Sequence, residues 1–163
     1  NNLALSYNAN IFMFDAYVAR ICTSFIDIPD RIAVAIYFSG CSIRCKGCQN
    51  AILWERDEKT KTSMSELLGE IKSNALADSV VFLGGEPTDQ MNFLVELCKN
   101  ISNYKALYTG REFEDLPKDL IDNLDMIVCG PYRQDLHIKG FPASKNQRFL
   151  KKIGGSWICQ NCQ

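Results

Sequence analysis

The stretch "GCSIRCKGCQN" (residues 40–50) places Cys41, Cys45 and Cys48 in a C-x3-C-x2-C spacing, with no fourth cysteine nearby. A closed zinc site or a fully ligated four-iron cluster takes four protein ligands. Three thiolates can hold three irons of a four-iron cluster and leave the fourth iron without a protein ligand. An open metal position is what a catalytic site keeps and a structural site closes. A small molecule with adjacent amine and carboxylate groups could chelate that iron. The alternatives are a zinc site completed by a distant ligand such as His137, the single histidine, or three buried structural cysteines.

The elements needed to position these residues follow from the apolar pattern. Residues 32–38 ("IAVAIYF"), 79–83 ("SVVFL"), 105–108 ("KALY") and 126–129 ("MIVC") are short apolar runs, as expected of strands buried on both faces. Helical periodicity separates them. In "TSMSELLGEIKSN", Ser63 and Glu66 form a capping-box signature, and Met64, Leu67, Leu68 and Ile71 recur at helical spacing. "DQMNFLVELCKNI" and "PKDLIDNL" read as further helices, "NAILWER" as a short one, and "YVARI" as an added edge strand. Strands alternating with helices predict a parallel sheet with right-handed crossovers.

Function in parallel α/β folds gathers at the carboxyl ends of the strands. There the sequence places the three cysteines, "GGEP" (residues 84–87), "TGR" (109–111) and "GPY" (130–132). The Gly84–Gly85 pair is expected to let a ligand approach the backbone closely, because no Cβ intervenes.

Composition excludes several classes. The net charge of −1 provides no basic field for nucleic acid. No apolar run reaches the roughly 20 residues of a membrane span. Residues 1–20 lack the pattern of a signal peptide, so a cytoplasmic protein is expected. Eight cysteines in such a chain point to metal or redox chemistry rather than to a disulfide scaffold. One domain over residues 1–163 is expected, with a flexible cysteine-containing tail at 151–163. Cys159 and Cys162 in that tail read either as a redox or metal pair or as unpaired residues. Cys22, Cys98 and Cys129 read as small core residues. His137 reads as an ordinary polar residue. Arg148 reads as a partner or anion contact, or as a solvated charge.

C-x3-C-x2-C after the first strand and GGEP after the second resemble the radical S-adenosylmethionine (SAM) superfamily. Within it, "CKGCQN", "ALYTGREFEDL", "LDMIVCGPYRQDL" with "ASKNQRFL", and "TSFIDIPDRIAVAIYFSGC" resemble the small activating proteins of anaerobic ribonucleoside-triphosphate reductase. The resemblance covers residues 23–150. It implies a shortened partial (β/α) barrel with a mostly parallel sheet, a [4Fe-4S] cluster on Cys41, Cys45 and Cys48, and SAM on the open iron. It places SAM against Gly47, Cys48, Gln49, Gly84, Gly85, Glu86, Pro87 and Thr109. The implied reaction is one-electron cleavage of SAM to methionine and a 5'-deoxyadenosyl radical, which takes a hydrogen atom from a glycine of the reductase. Reduced flavodoxin or a similar donor supplies the electron. The alternatives are another glycyl-radical enzyme or a small molecule as target, or a non-enzymatic iron-sulfur or zinc module. Four positions depart from the family pattern: Asp30 and Ala143 stand at usual glycines, Gln49 at an aromatic or His, and Cys129 at an Asp.

Overall fold

The computed structural model describes residues 15–162; most of the amino-terminal stretch weighed for a signal peptide lies outside them. Eight strands form one sheet: β1 Asp15–Ser24, β2 Ala33–Phe38, β3 Lys61–Ser63, β4 Ser79–Gly84, β5 Tyr104–Tyr108, β6 Met126–Cys129, β7 Arg148–Ile153 and β8 Ser156–Cys159. Their spatial order is β3-β1-β2-β4-β5-β6-β7-β8. The four central strands, β2-β4-β5-β6, pair in parallel. Pairs toward both edges are antiparallel. The sheet is not closed, and the architecture is a partial barrel.

Helices α1 Met64–Ser73, α2 Met91–Lys99 and α3 Lys118–Ile121 complete the crossovers. Helix α1 starts as the sequence predicts: Ser63 Oγ accepts the Glu66 N–H at 3.2 Å, and Glu66 Oε2 accepts the Ser63 N–H at 2.9 Å. The period-2 alternation of a strand divides the central residues between two faces. Val34, Ile36, Phe38, Val80, Phe82, Leu107 and Ile127 join Met64, Leu67, Leu94, Leu97 and Leu120 of the helices in the main core. Ala33, Ala35, Val81, Leu83, Ala106, Met126 and Val128 face the other way and pack with Ile28 of the loop after β1. No helical residue joins that second cluster among the described residues.

Three expectations are corrected. β1 is not at the edge, because Asp15–Tyr17 pairs with the short strand β3. "NAILWER" forms only a single 3-10 turn at Ala51–Leu53. Residues 151–159 are not a free tail. β7 and β8 extend the sheet as a hairpin around Gly154 and Gly155, whose φ values of +58° and +81° suit a two-residue turn. The sequence signal was there: two glycines flanked by β-forming residues.

Two family departures acquire a physical account. Asp30 has φ +61°, the left-handed region where glycine carries no steric penalty. Ala143 is absent from the positive-φ residues, so its side chain adds no such strain.

Candidate functional site

The cysteine loop runs from β2 to the 3-10 turn and is held mostly by backbone. Gly40 N–H donates to Leu53 O at 2.8 Å, and Cys41 N–H to Trp54 O at 2.9 Å. Arg44 and Gly47 turn the chain with φ of +53° and +76°. Asp89, in the turn after GGEP, accepts from Ser42 N at 2.7 Å and from Ser42 Oγ at 2.8 Å. Arg111 pairs with the same Asp89 at 2.8 Å and reaches Ser42 Oγ at 3.2 Å. The ends of β2, β4 and β5 are thereby tied together.

Gly84 and Gly85 have a different role from the one expected. A Cβ on Gly84 would strike the Phe38 backbone, and one on Gly85 the Gly40 carbonyl. The collisions are with the protein's own chain, so the glycines let the end of β4 lie tightly against the end of β2 and the start of the cysteine loop. Gly85 N–H donates to Phe38 O and Glu86 N–H to Gly40 O, both at 2.8 Å. Glu86 is buried, and its carboxylate is occupied by local donors. It accepts from Thr88 N at 3.0 Å, Thr109 Oγ1 at 2.8 Å and Gly110 N at 2.7 Å, and from the Thr88 hydroxyl. Glu86 positions the β5 end. Its Oε1 receives only the Gly110 bond among the described residues and keeps acceptor capacity.

These ends line a half-open cavity of about 190 Å³. Cys41, Cys45 and Cys48 border it, with Gly84, Gly85, Glu86 and Thr109 opposite. Gly47, Gln49 and Pro87 do not: Gly47 and Gln49 are exposed and Pro87 is buried beneath the turn. Residues the spacing did not mark also contribute, namely Ile43, Asn50, Trp54, Tyr132 and Gln147. Tyr132 and Gln147 fall in segments singled out for other reasons; Trp54 carried no signal at all.

The donor set fits a cubane cluster. All three cysteines are unpaired and half-buried. Burial pushes the Cys45 thiol up, with the Tyr132 backbone opposing the shift. Trp54 Nε1 is buried without a hydrogen-bond partner, a donor that a cluster sulfur beside it would satisfy. Among the described residues no group of His, Cys, Asp or Glu forms a single-ion site. A [4Fe-4S] cluster would instead take each thiolate on a different iron, so the three cysteines need not converge on one ion. His137 is exposed, with Nδ1 at 3.3 Å from the Tyr132 hydroxyl.

The remaining candidates separate clearly. Cys98 and Cys129 are core residues, and burial pushes the Cys98 thiol up to about 12. Cys22 is exposed on β1, contrary to expectation. Arg148 is neither free nor directed at the cavity. It binds both oxygens of Glu114, at 2.9 and 2.6 Å, and pins the 111–115 loop to β7.

Residues 31–150 match the family described as "4Fe-4S single cluster domain". The chain belongs to that family. It is 28% identical over 137 residues to the anaerobic ribonucleoside-triphosphate reductase-activating protein of Enterobacteria phage T4, covering 76% of this chain and 86% of the phage protein. It is 34% identical over 105 residues to a pyruvate formate-lyase-activating enzyme of Listeria monocytogenes, covering 60% of this chain and 42% of that enzyme. The crystal structure of QueE from Escherichia coli superposes with a TM-score of 0.60 at 18% identity, over 78% of this chain and 64% of QueE, a likeness of fold. Family members of this kind are radical SAM oxidoreductases, and this chain is one, with a [4Fe-4S] cluster and SAM as cofactors.

Proposed function

We propose that this chain is a glycyl-radical-generating activase whose target is an anaerobic ribonucleoside-triphosphate reductase. One observation carries the reading: three unpaired cysteines on a backbone-pinned loop open onto one cavity with the ends of β4 and β5. Cys41, Cys45 and Cys48 hold the cluster, which when bound supplies the electron that cleaves SAM to methionine and a 5'-deoxyadenosyl radical. The protein's own residues bind and orient. The Gly84–Gly85 backbone and the spare Oε1 lone pair of Glu86 form the surface for the amino-acid end of SAM. Thr109, fixed by its bond to Glu86, presents the β5 end beside it. Trp54, Ile43 and Tyr132 give the cavity apolar walls that exclude water from a reactive carbon centre. Gly47 turns the cysteine loop and Pro87 opens the turn after β4, and neither they nor Gln49 border the cavity.

The partner assignment draws on extent. The phage activating protein is matched over most of its length, the formate-lyase activase over less than half of its own. Reduced flavodoxin or a similar donor provides the electron. The chain is read as one domain acting in the cytoplasm; among the described residues no helix is long and apolar enough to cross a membrane. The test is an anaerobic mixture of the protein, SAM, reductant and reductase. A glycyl-radical EPR doublet should form on the reductase with 5'-deoxyadenosine, and deuterium at the target glycine should appear in that product. Label arriving from an added metabolite, and from no protein glycine, would move the function to a small-molecule radical enzyme.

A further inference from the structure

The cysteine pair at the sheet edge lies outside the cavity bordered by Cys41, Cys45 and Cys48. Cys159 and Cys162 are disulfide-bonded, Cys159 half-buried at the end of β8 and Cys162 exposed. Asn161, between them, docks the turn onto β7: its Oδ1 accepts the Phe149 N–H at 2.8 Å, and its Nδ2 donates to Gln147 O at 2.9 Å. Gln160 N–H adds a bond to Phe149 O at 2.7 Å. Gln147 borders the cluster cavity and donates to Gly130 O at 3.2 Å. Asn161, between the two cysteines, thus bonds the backbone of a residue that borders the cavity.

We propose that Cys159 and Cys162 form a thiol–disulfide exchange site whose substrates are dithiols and protein disulfides. A structural staple gains most by closing a long loop, and a separation of three residues closes one of the shortest possible. A staple is also best shielded, whereas Cys162 faces solvent. The Asn161 and Gln160 bonds hold the turn in place by contacts other than the disulfide, so the two sulfurs stay adjacent when the bond opens and closing again is favoured.

The exchange runs in two displacements. A thiolate of the incoming dithiol attacks Cys162 Sγ, the bond to Cys159 breaks, and Cys159 leaves as a thiolate that takes a proton. The second thiolate of the donor then attacks its own sulfur in the mixed disulfide and releases Cys162, which also takes a proton. Two electrons and two protons pass to the pair, and the donor becomes a disulfide. The same steps reversed pass them on to a protein disulfide. Cys162 is the attacked sulfur because it is the exposed one; Cys159 Sγ lies 3.5 Å from Asn161 Oδ1.

The test uses the full chain with its cluster reconstituted anaerobically, equilibrated in glutathione buffers of graded ratio, acid-quenched, alkylated and mapped by mass. The peptide holding both cysteines should pass reversibly between no label and two, while cluster absorbance stays constant. In the Cys159→Ser variant oxidised glutathione should add to Cys162; in Cys162→Ser it should add to Cys159 at least ten times more slowly. The proposal is overturned if the bond survives excess dithiothreitol in the folded protein, or never forms in oxidised buffer. Equal adduct rates in the two variants would overturn it too, as would one zinc per two chains bound through this pair. None of these readouts depends on which protein receives the radical.

Discussion

Cys41, Cys45 and Cys48 lie in a loop without regular secondary structure, yet backbone bonds to residues 53 and 54 and the Asp89–Arg111 pair hold it from both sides. Cys159 and Cys162 follow a regular hairpin, at the end of its second strand, with Cys159 half-buried and Cys162 exposed, in a turn attached through Gln160 and Asn161. The difference separates two uses of sulfur. Metal ligation needs unpaired thiolates turned inward onto a walled cavity, and the cost of an irregular loop is met by neighbours that satisfy its backbone. Exchange with a partner needs the opposite, a pair kept together and reachable from water.

The largest effect that could break this comparison is at the inner group. Alanine at Cys41, Cys45 or Cys48 should leave an iron without its thiolate and abolish cluster assembly and SAM cleavage together, read by iron content and 5'-deoxyadenosine. A Cys45→Ala protein that kept its full cluster would refute the inward assignment.

Next in size is Gly85→Val. If the glycine served only to admit a ligand, the variant would keep its iron and lose SAM affinity. The structure predicts otherwise, because the added side chain meets the Gly40 carbonyl, next to Cys41. Overpacking of this kind costs about 1–3 kcal/mol, and here it falls on the loop that carries the ligands. Iron content and denaturant midpoint should drop along with SAM binding.

The central strands and helices were legible because each carries a local signal that agrees with its tertiary setting: apolar runs for strands buried on both faces, and a capping box for α1. The edges were less so. β3 is three polar residues whose strand character comes only from pairing with β1. β8 exposes alternate residues and depends on β7 for its register. At the site, the cysteine spacing and GGEP marked strand ends that border one cavity, but the packing reason for the glycines could not be seen. A close approach of two parallel chain segments distant in sequence leaves the same two letters as a ligand cradle. Gln49 is a neighbour of a ligand by sequence but is exposed and does not border the cavity; Trp54 had no spacing to betray it.

Trp54 sharpens the inner half with a smaller effect. A buried donor without a partner costs about 1–3 kcal/mol, so in the cluster-free protein Trp54→Phe should be neutral or slightly stabilising. With the cluster in place, loss of an N–H···S bond should reverse that sign and shift the reduction potential to more negative values. Thermal melts of the two forms, with a redox titration, separate the outcomes. If Trp54→Phe changed both forms equally, the indole would be wall and nothing more.

The smallest expected effect belongs to the outer pair. Replacing Cys159 and Cys162 together by Ser removes a disulfide that closes a very short loop, while the bonds of Gln160 and Asn161 to β7 remain. Stability should fall by no more than about 2 kcal/mol on the loop-entropy scale, and iron content and SAM cleavage should be unchanged. The inner loop shares no hydrogen bond with residues 156–162 among the described residues; the connection runs through Gln147 and its contact to Gly130. A large loss of iron in the double variant would mean that Gln147 transmits the state of the edge to the cluster cavity. The two groups of cysteines would then be one coupled system rather than two separate uses of sulfur.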